Sequence, residues 1–192
     1  MSKPTRGWTS ADQAKSATEV DIRYGHSLLK KESSQWPSYV VVSTPTAYRT
    51  ARPYLERGPA GVGYVDLLDW GELKTLAEKL DVDAELVIGL GAGRALDASK
   101  YVALANDLPL ILVPSVVSTG AIIHAMVAKW DGRKILGGTA DWAWVECEHV
   151  LVDYDLALKA PYYLNTGGLG DCLSGYSGVA EWRHNAKQGI GP

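Results

Sequence analysis

Residues 85–100 read ELVIGLGAGRALDASK. Glu85 to Leu90 is an apolar run of the kind buried on both faces of a parallel sheet. It passes into Gly91-Ala92-Gly93, where small residues let the backbone approach another group closely. A helical pattern then continues to about Asn106, with Ala95, Ala98, Val102 and Ala105 on its inner side. A strand that turns through glycines directly into a helix points the helix's free N–H groups and positive dipole end at one place, which suits a phosphate. The same turn also serves simply to seat a helix tightly on a sheet. Asp97 and Lys100, one helical turn apart, fit a surface ion pair of roughly 0.2–0.5 kcal/mol.

The pattern extends in both directions. Upstream, strands are expected at Val20 to Tyr24, Tyr39 to Ser43 and Gly61 to Asp66, with a helix from about Thr46 to Arg57. A further helix opens at Asp69 or Gly71 and carries Leu73, Leu76, Ala77 and Leu80 as one apolar stripe. Downstream, Leu108 to Val113 is a strand, and Ile122 to Leu136 reads as an antiparallel ribbon turning at Trp130 to Arg133. His149 to Asp153 returns as a strand, Asp155 to Lys159 as a helical turn, and Thr166 to Lys187 as a long helix. Gly189 to Pro192 cannot continue that helix. Repeated strand–helix–strand units of this length predict an α/β fold, a doubly wound and mostly parallel sheet with helices on both faces.

A chain of 192 residues buries one sizeable core, or one α/β domain and a stub of a second. With 46% hydrophobic and 21% charged residues and a mean hydropathy of -0.07, it reads as folded and soluble. Its net charge of -3 argues against a nucleic-acid partner. Pro109 to Val117, the longest strongly apolar run, is too short to span a bilayer, so no membrane partner is expected. The first 18 or so residues form a polar extension without an apolar signal core, making the cytoplasm the default location. Cys147 and Cys172 are then expected to stay reduced. The absence of Phe beside 7 Trp and 10 Tyr carries no functional reading.

Gly91-x-Gly93-x-x-x-Asp97-x-x-Lys100 resembles the G-G-G-x-x-x-D-x-A-K signature of the superfamily that contains glycerol dehydrogenase, glycerol-1-phosphate dehydrogenase, iron-containing alcohol dehydrogenases and dehydroquinate synthase. Ala92 stands in place of the middle glycine. Val113-Pro114-Ser115 and Ser118-Thr119 resemble the family's next dinucleotide-contacting segment, although such hydroxyls also cap turns after buried strands. Ala160-Pro161 and Gly168-Leu169-Gly170-Asp171 resemble its passage into a helical domain. The resemblance covers roughly residues 20–187. It implies a Rossmann-like dinucleotide-binding domain over 19–160 and the start of a helical metal-binding domain over 161–192, truncated there.

The implied activity is an NAD- or NADP-dependent, metal-assisted oxidation of an alcohol, polyol or glycerol phosphate. The cofactor would lie on Gly91, Ala92, Gly93, Arg94, Asp97, Lys100, Ser115, Ser118 and Thr119. Asp171 matches the family's first ligand of a zinc or iron ion, which acts as a Lewis acid on the substrate hydroxyl. Read without the resemblance, Asp171 stabilises a helix start after Gly170. The histidines that complete the family's metal site are missing. His184, thirteen residues along the same helix, is about 20 Å away in rise, and His26, His124 and His149 have no ligand spacing to one another. Gly120 occupies the position of an acid in polyol-specific members, which weakens a glycerol assignment. Two alternatives accompany this reading: a non-catalytic homologue serving as a nucleotide-binding or assembly module, and a sugar-phosphate cyclase like dehydroquinate synthase. A shortened helical domain would leave apolar helix faces exposed and favour self-association into a homo-oligomer.

Overall fold

The computed structural model describes residues 20–80, 83–137 and 143–190, and the extension expected over 1–18 lies outside them. In chain order, β1 (Ile22–Gly25), α1 (Leu28–Ser33), β2 (Tyr39–Ser43), α2 (Pro45–Ala51) and β3 (Gly61–Tyr64) are followed by α3 (Trp70–Lys79) and β4 (Leu86–Gly91). Then come α4 (Gly93–Ala105), β5 (Leu110–Pro114), four two-residue strands β6 to β9 between 126 and 144, β10 (His149–Asp153), α5 (Tyr154–Ala157) and α6 (Tyr162–Lys187).

Six strands form one sheet in the order β1-β10-β5-β4-β2-β3, with every pair parallel. Strand alternation sorts the core into two layers. Val40, Val42, Val87, Leu110, Leu112 and Val150 face α3 and α4. Tyr39, Val41, Ile88, Leu90, Ile111, Val113 and Leu151 face the side holding Leu29 of α1, Ala51 of α2 and Leu156 of α5. Both faces are therefore covered, and the central strands have no polar side to show, as expected for a doubly wound parallel sheet.

β2 leads to α2 on one face and its neighbour β4 leads to α4 on the other. Their carboxyl ends form the point where the winding reverses, which is where open α/β sheets leave a crevice for a ligand. Asp153, fully buried at the end of β10, fixes this edge: Leu29 N donates to it at 2.7 Å and Asp155 N at 2.9 Å. These bonds tie α1 and α5 to the sheet and satisfy a carboxylate that would otherwise be costly to bury.

Several expectations shift in detail. The helix after β2 stops at Ala51 and tightens into a 3-10 turn, Arg52–Tyr54, because Pro53 has no N–H to continue the ladder. α1, six residues long, is too short to show a period, and it is entered through Ser27 at φ 54°. Ala105 is exposed instead of inward. The ribbon turn is present as β7 (Trp130–Asp131) against β8 (Lys134–Ile135), with Gly132 at φ 57°. β6 (Met126–Val127) pairs instead with β9 (Ala143–Trp144). Among the described residues no helix is long and apolar enough to cross a membrane. Cys147 is half-buried and Cys172 exposed, and both are free thiols.

Candidate functional site

The glycine turn between β4 and α4 sits at the reversal point. Gly91 has φ 146°, a conformation L side chains rarely adopt, and a Cβ there would lie 2.8 Å from Ala95 Cβ and 3.5 Å from Ala47 Cβ. The turn thus threads between α4 and α2, one on each face of the sheet. Ala92 is at φ -97°, ψ -178°, extended backbone open to any residue, so replacing the motif's middle glycine removes no freedom the turn uses. Gly93 opens α4 with no side-chain cap. Ala95 N and Leu96 N both donate to Ala92 O, at 2.9 and 3.1 Å, and the Gly93 and Arg94 N–H groups ahead of them remain available to a ligand. A Cβ on Gly93 would meet Thr119 Oγ1 at 3.2 Å, so the motif and the Ser115–Thr119 loop close on the same spot.

The loop is held from below and from the side. Ser115 N donates to Gly91 O at 2.9 Å. Thr119 Oγ1 accepts from Ala121 N at 2.9 Å and caps the 3-10 turn Gly120–Ile122, so the capping role and proximity to the cradle coexist in one residue. Lys100 is not part of a surface pair. Only 1% exposed, its Nζ donates to Asp97 Oδ1 at 2.9 Å and to Ala121 O at 2.9 Å, joining α4 to the turn that follows Thr119. Burial pulls the Lys100 pKa down and Asp97 opposes that shift. Beside it lies a small cavity of about 130 Å³ reached by His124 and Cys147. Burial and then the Lys100 charge lower the His124 pKa, and burial pushes the Cys147 thiol up to about 11. Arg94 turns away from the cradle: its guanidinium donates to Asp66 O and lies 3.7 Å from Asp66 Oδ1, leaving only its backbone N–H for a phosphate.

α6 crosses this edge and touches it along one stripe. Asn165 Oδ1 accepts from Val117 N at 3.0 Å while its Nδ2 donates to Ala157 O at 3.0 Å. Gly168 abuts the Val117 carbonyl and Ser118 Cα, leaving no space for a Cβ. One turn on, Asp171 Oδ2 accepts from Gly120 N at 3.1 Å. Asp171 therefore lies well inside a helix that began at Tyr162, which corrects its reading as a helix start. The helix begins four residues before Thr166, directly after Pro161, which presets the entry. Between this stripe, the loop and the β1–β10 edge lies a mostly apolar cavity of about 460 Å³ that includes Thr119, Gly120, Asp171 and Cys172.

The sequence did not single out Asn165 or the burial of Lys100. Asn165, Gly168 and Asp171 recur at a spacing of three, and that was the available signal. No three His, Cys, Asp or Glu side chains gather into a metal-holding group among the described residues. His184 faces Gln188, Nε2 to Nε2 at 2.9 Å, and His26 Nδ1 lies 2.7 Å from Asp155 Oδ1.

The chain is similar to known proteins in sequence and in fold. Glycerol-1-phosphate dehydrogenase [NAD(P)+] of Methanothrix thermoacetophila is 34% identical over 106 residues, 54% of this chain and 28% of that one. The solved glycerol dehydrogenase of Schizosaccharomyces pombe shares the fold, with a TM-score of 0.67 and 20% identity over 80% of this chain and 42% of its own. Sulfoacetaldehyde reductase from Bifidobacterium kashiwanohense, solved in complex with NAD+, superposes with a TM-score of 0.59 and 18% identity over 76% of this chain and 47% of its own. The chain spans less than half the length of these proteins. Residues 26–161, from the end of β1 through the glycine turn and its loop to the start of α6, match the family of iron-containing alcohol dehydrogenases, and the chain belongs to that family.

Proposed function

We propose that this chain is the dinucleotide-binding part of an NAD(P)-dependent oxidoreductase that acts on a small alcohol, polyol or glycerol phosphate. The observation that carries the reading is the convergence of Gly91, Gly93 and Thr119 at the reversal point of the sheet, inside the stretch that matches the family. The residues fit the cofactor: Gly91 and Gly93 keep side chains out of a place bordered by free N–H groups. The amides of Gly93 and Arg94 would hold the pyrophosphate, with Ser115, Ser118 and Thr119 offering hydroxyls along the loop. Lys100, held by Asp97, supports the cradle through the Ala121 carbonyl. The nicotinamide, which supplies the hydride acceptor when bound, would enter the cavity bordered by Thr119 and Gly120, where the substrate would meet it.

Asp171 is the residue of this chain with a place in a zinc or iron centre, and alone it does not make one. One of its oxygens already accepts the Gly120 N–H, and no further ligands gather around it among the described residues. A single carboxylate falls short of the three or four protein ligands such ions take. The same observation favours a second reading, a nucleotide-binding module without turnover. The segment from residue 161 onward, which holds α6, is proposed as the beginning of a helical domain. Its exposed Tyr162, Leu169, Leu173, Tyr176 and Trp182 support self-association. Light scattering at micromolar concentration is expected to show oligomers; a clean monomer refutes that part.

The test is a fluorescence titration with NADH and NADPH beside the variant Gly93→Asp, which places a carboxylate against Thr119 and the phosphates. Saturable binding weakened roughly 100-fold or more in the variant, about 2.7 kcal/mol, supports the cradle. Equal binding by the variant, or no binding by the parent chain at millimolar ligand, overturns it.

A further inference from the structure

A second cavity, of about 220 Å³, opens on the other side of the cradle, where α2 and α5 meet the sheet. Ala92 of the glycine turn, Ser115 of the loop, Thr44 and Thr46 after β2, and Lys159 after α5 all line it. Leu156 and Leu164 add apolar lining. Pockets that enclose whole ligands usually measure roughly 300–1,000 Å³, so this one suits one end of a longer molecule that runs out along the cradle. The larger cavity at Thr119 and Asp171 takes the reacting end, which leaves this one for the adenosine end.

Its chemistry bears on which dinucleotide enters. In sheets of this kind an acidic residue near the end of a neighbouring strand binds the ribose 2′-hydroxyl of NAD, and a basic group near the same place accepts the 2′-phosphate of NADP. β4's neighbour here is β2, and it ends in Ser43-Thr44-Pro45-Thr46 with no carboxylate. Among the described residues, none that lines the cavity is Asp or Glu. Asp66, the acid after β3, does not line it and is engaged by Arg94. Thr44 Oγ1 accepts from Ala47 N at 3.3 Å, which leaves its hydroxyl proton to donate. Thr50, by contrast, has its proton on Thr46 O at 3.0 Å. Lys159 is exposed and forms no ion pair among the described residues.

We infer that this cavity receives the phosphorylated ribose of NADP, with the Lys159 ammonium and the Thr44 and Thr46 hydroxyls on the 2′-phosphate, so that the chain binds NADP(H) at least as tightly as NAD(H). The inference rests on the dinucleotide-binding reading and adds the choice of cofactor to it. A carboxylate at Thr44 would bind a free 2′-hydroxyl and repel a phosphate, so the lack of one matters as much as the lysine.

The experiment compares NADPH and NADH titrations, with 2′,5′-ADP and 5′-ADP as competitors, at one fixed ionic strength because the contact is screened by salt. Two variants accompany the parent chain. Lys159→Glu reverses an exposed charge, and Thr44→Asp keeps a side-chain oxygen at the helix cap, so both preserve the fold. NADPH is expected to bind no more weakly than NADH, and 2′,5′-ADP to compete better than 5′-ADP. Each variant should weaken NADPH about tenfold; Lys159→Glu should leave NADH within about twofold, and Thr44→Asp should leave NADH no weaker and tighten it where the new carboxylate takes the 2′-hydroxyl. A parent chain that prefers NADH by about tenfold, or a Lys159→Glu that weakens both nucleotides equally, overturns the cofactor choice and leaves the dinucleotide site standing. Binding of neither nucleotide removes both together.

Discussion

Glycine does opposite work in two regions of this molecule. Around β4 and α4 each glycine is surrounded: a Cβ on Gly89 would fall 2.0 Å from Ser99 Oγ and 2.8 Å from Ser99 Cβ, Gly91 is wedged against Ala95, and Gly93 against Thr119. In α6, Gly167, Gly170, Gly175 and Gly178 meet nothing within 4 Å, and Gly168 alone touches a neighbour. Against alanine, five glycines in one helix cost roughly 4–5 kcal/mol, and α6 has no buried residue to offset them. The sheet region is closed by its own packing. α6 is attached through Asn165, Gly168 and Asp171, and the rest of its length presents both apolar side chains and bare glycines to the outside. A glycine close to a neighbour records a contact already made; a glycine facing open space on an apolar helix marks a surface on which close approach by another backbone remains open.

The comparison breaks most easily at Gly89. Gly89→Ala drives a methyl into Ser99 and Leu112, both fixed between α4 and β5, and should cost about 2–3 kcal/mol in chemical denaturation, since an overpacked core must shift its backbone to relieve the clash. A loss below about 0.5 kcal/mol would mean that α4 rides more loosely on the sheet than its buried Ala95, Ala98 and Ser99 indicate. Gly168→Ala comes next. Its methyl would strike the Val117 carbonyl, which is backbone and cannot swing aside, so α6 should lift from the loop at a cost of about 1–2 kcal/mol. Hydrogen exchange at Val117 N, now bonded to Asn165 Oδ1, reads that loss directly, while the exchange of the β4 amides should hardly change. If β4 and Val117 accelerate together, α6 belongs to the same cooperative unit as the sheet.

What was legible in the sequence follows the same division. Tyr39–Ser43, Leu86–Gly91 and Leu110–Pro114 appear as strands because a strand buried on both faces is apolar without interruption, and the glycine turn shows itself because a close backbone approach demands small residues. Lys100 was misread as a surface partner because a carboxylate and an ammonium three residues apart look alike on a buried and an exposed face. The burial of Leu96, Ser99 and Ala103 around it comes from the turn at Ala121, twenty-one positions away. Asp171 looked like a helix start because Gly170 precedes it, although Pro161 had already set the true beginning. The adenosine-side cavity gathers Thr44, Ser115 and Lys159 from three distant places, and no local pattern brings such residues together.

The smallest effect separates the two regions most cleanly. Gly175→Ala and Gly178→Ala add methyls that meet nothing, so each should stabilise α6 by about 0.8–1 kcal/mol through lower backbone entropy in the unfolded chain. Both positions lie beyond Asp171, the last polar tie between α6 and the loop, so the gain should be confined to the helix's outer half. Circular dichroism should show more helix and hydrogen exchange should slow over residues 172–187, while the denaturation midpoint of the sheet stays where it was. Equal slowing in β4 would show that the distal half of α6 unfolds only with the core, and the helix would then be an integral part of this domain. A loss of stability instead of a gain would mean that these bare positions are already covered, in solution, by another copy of the chain.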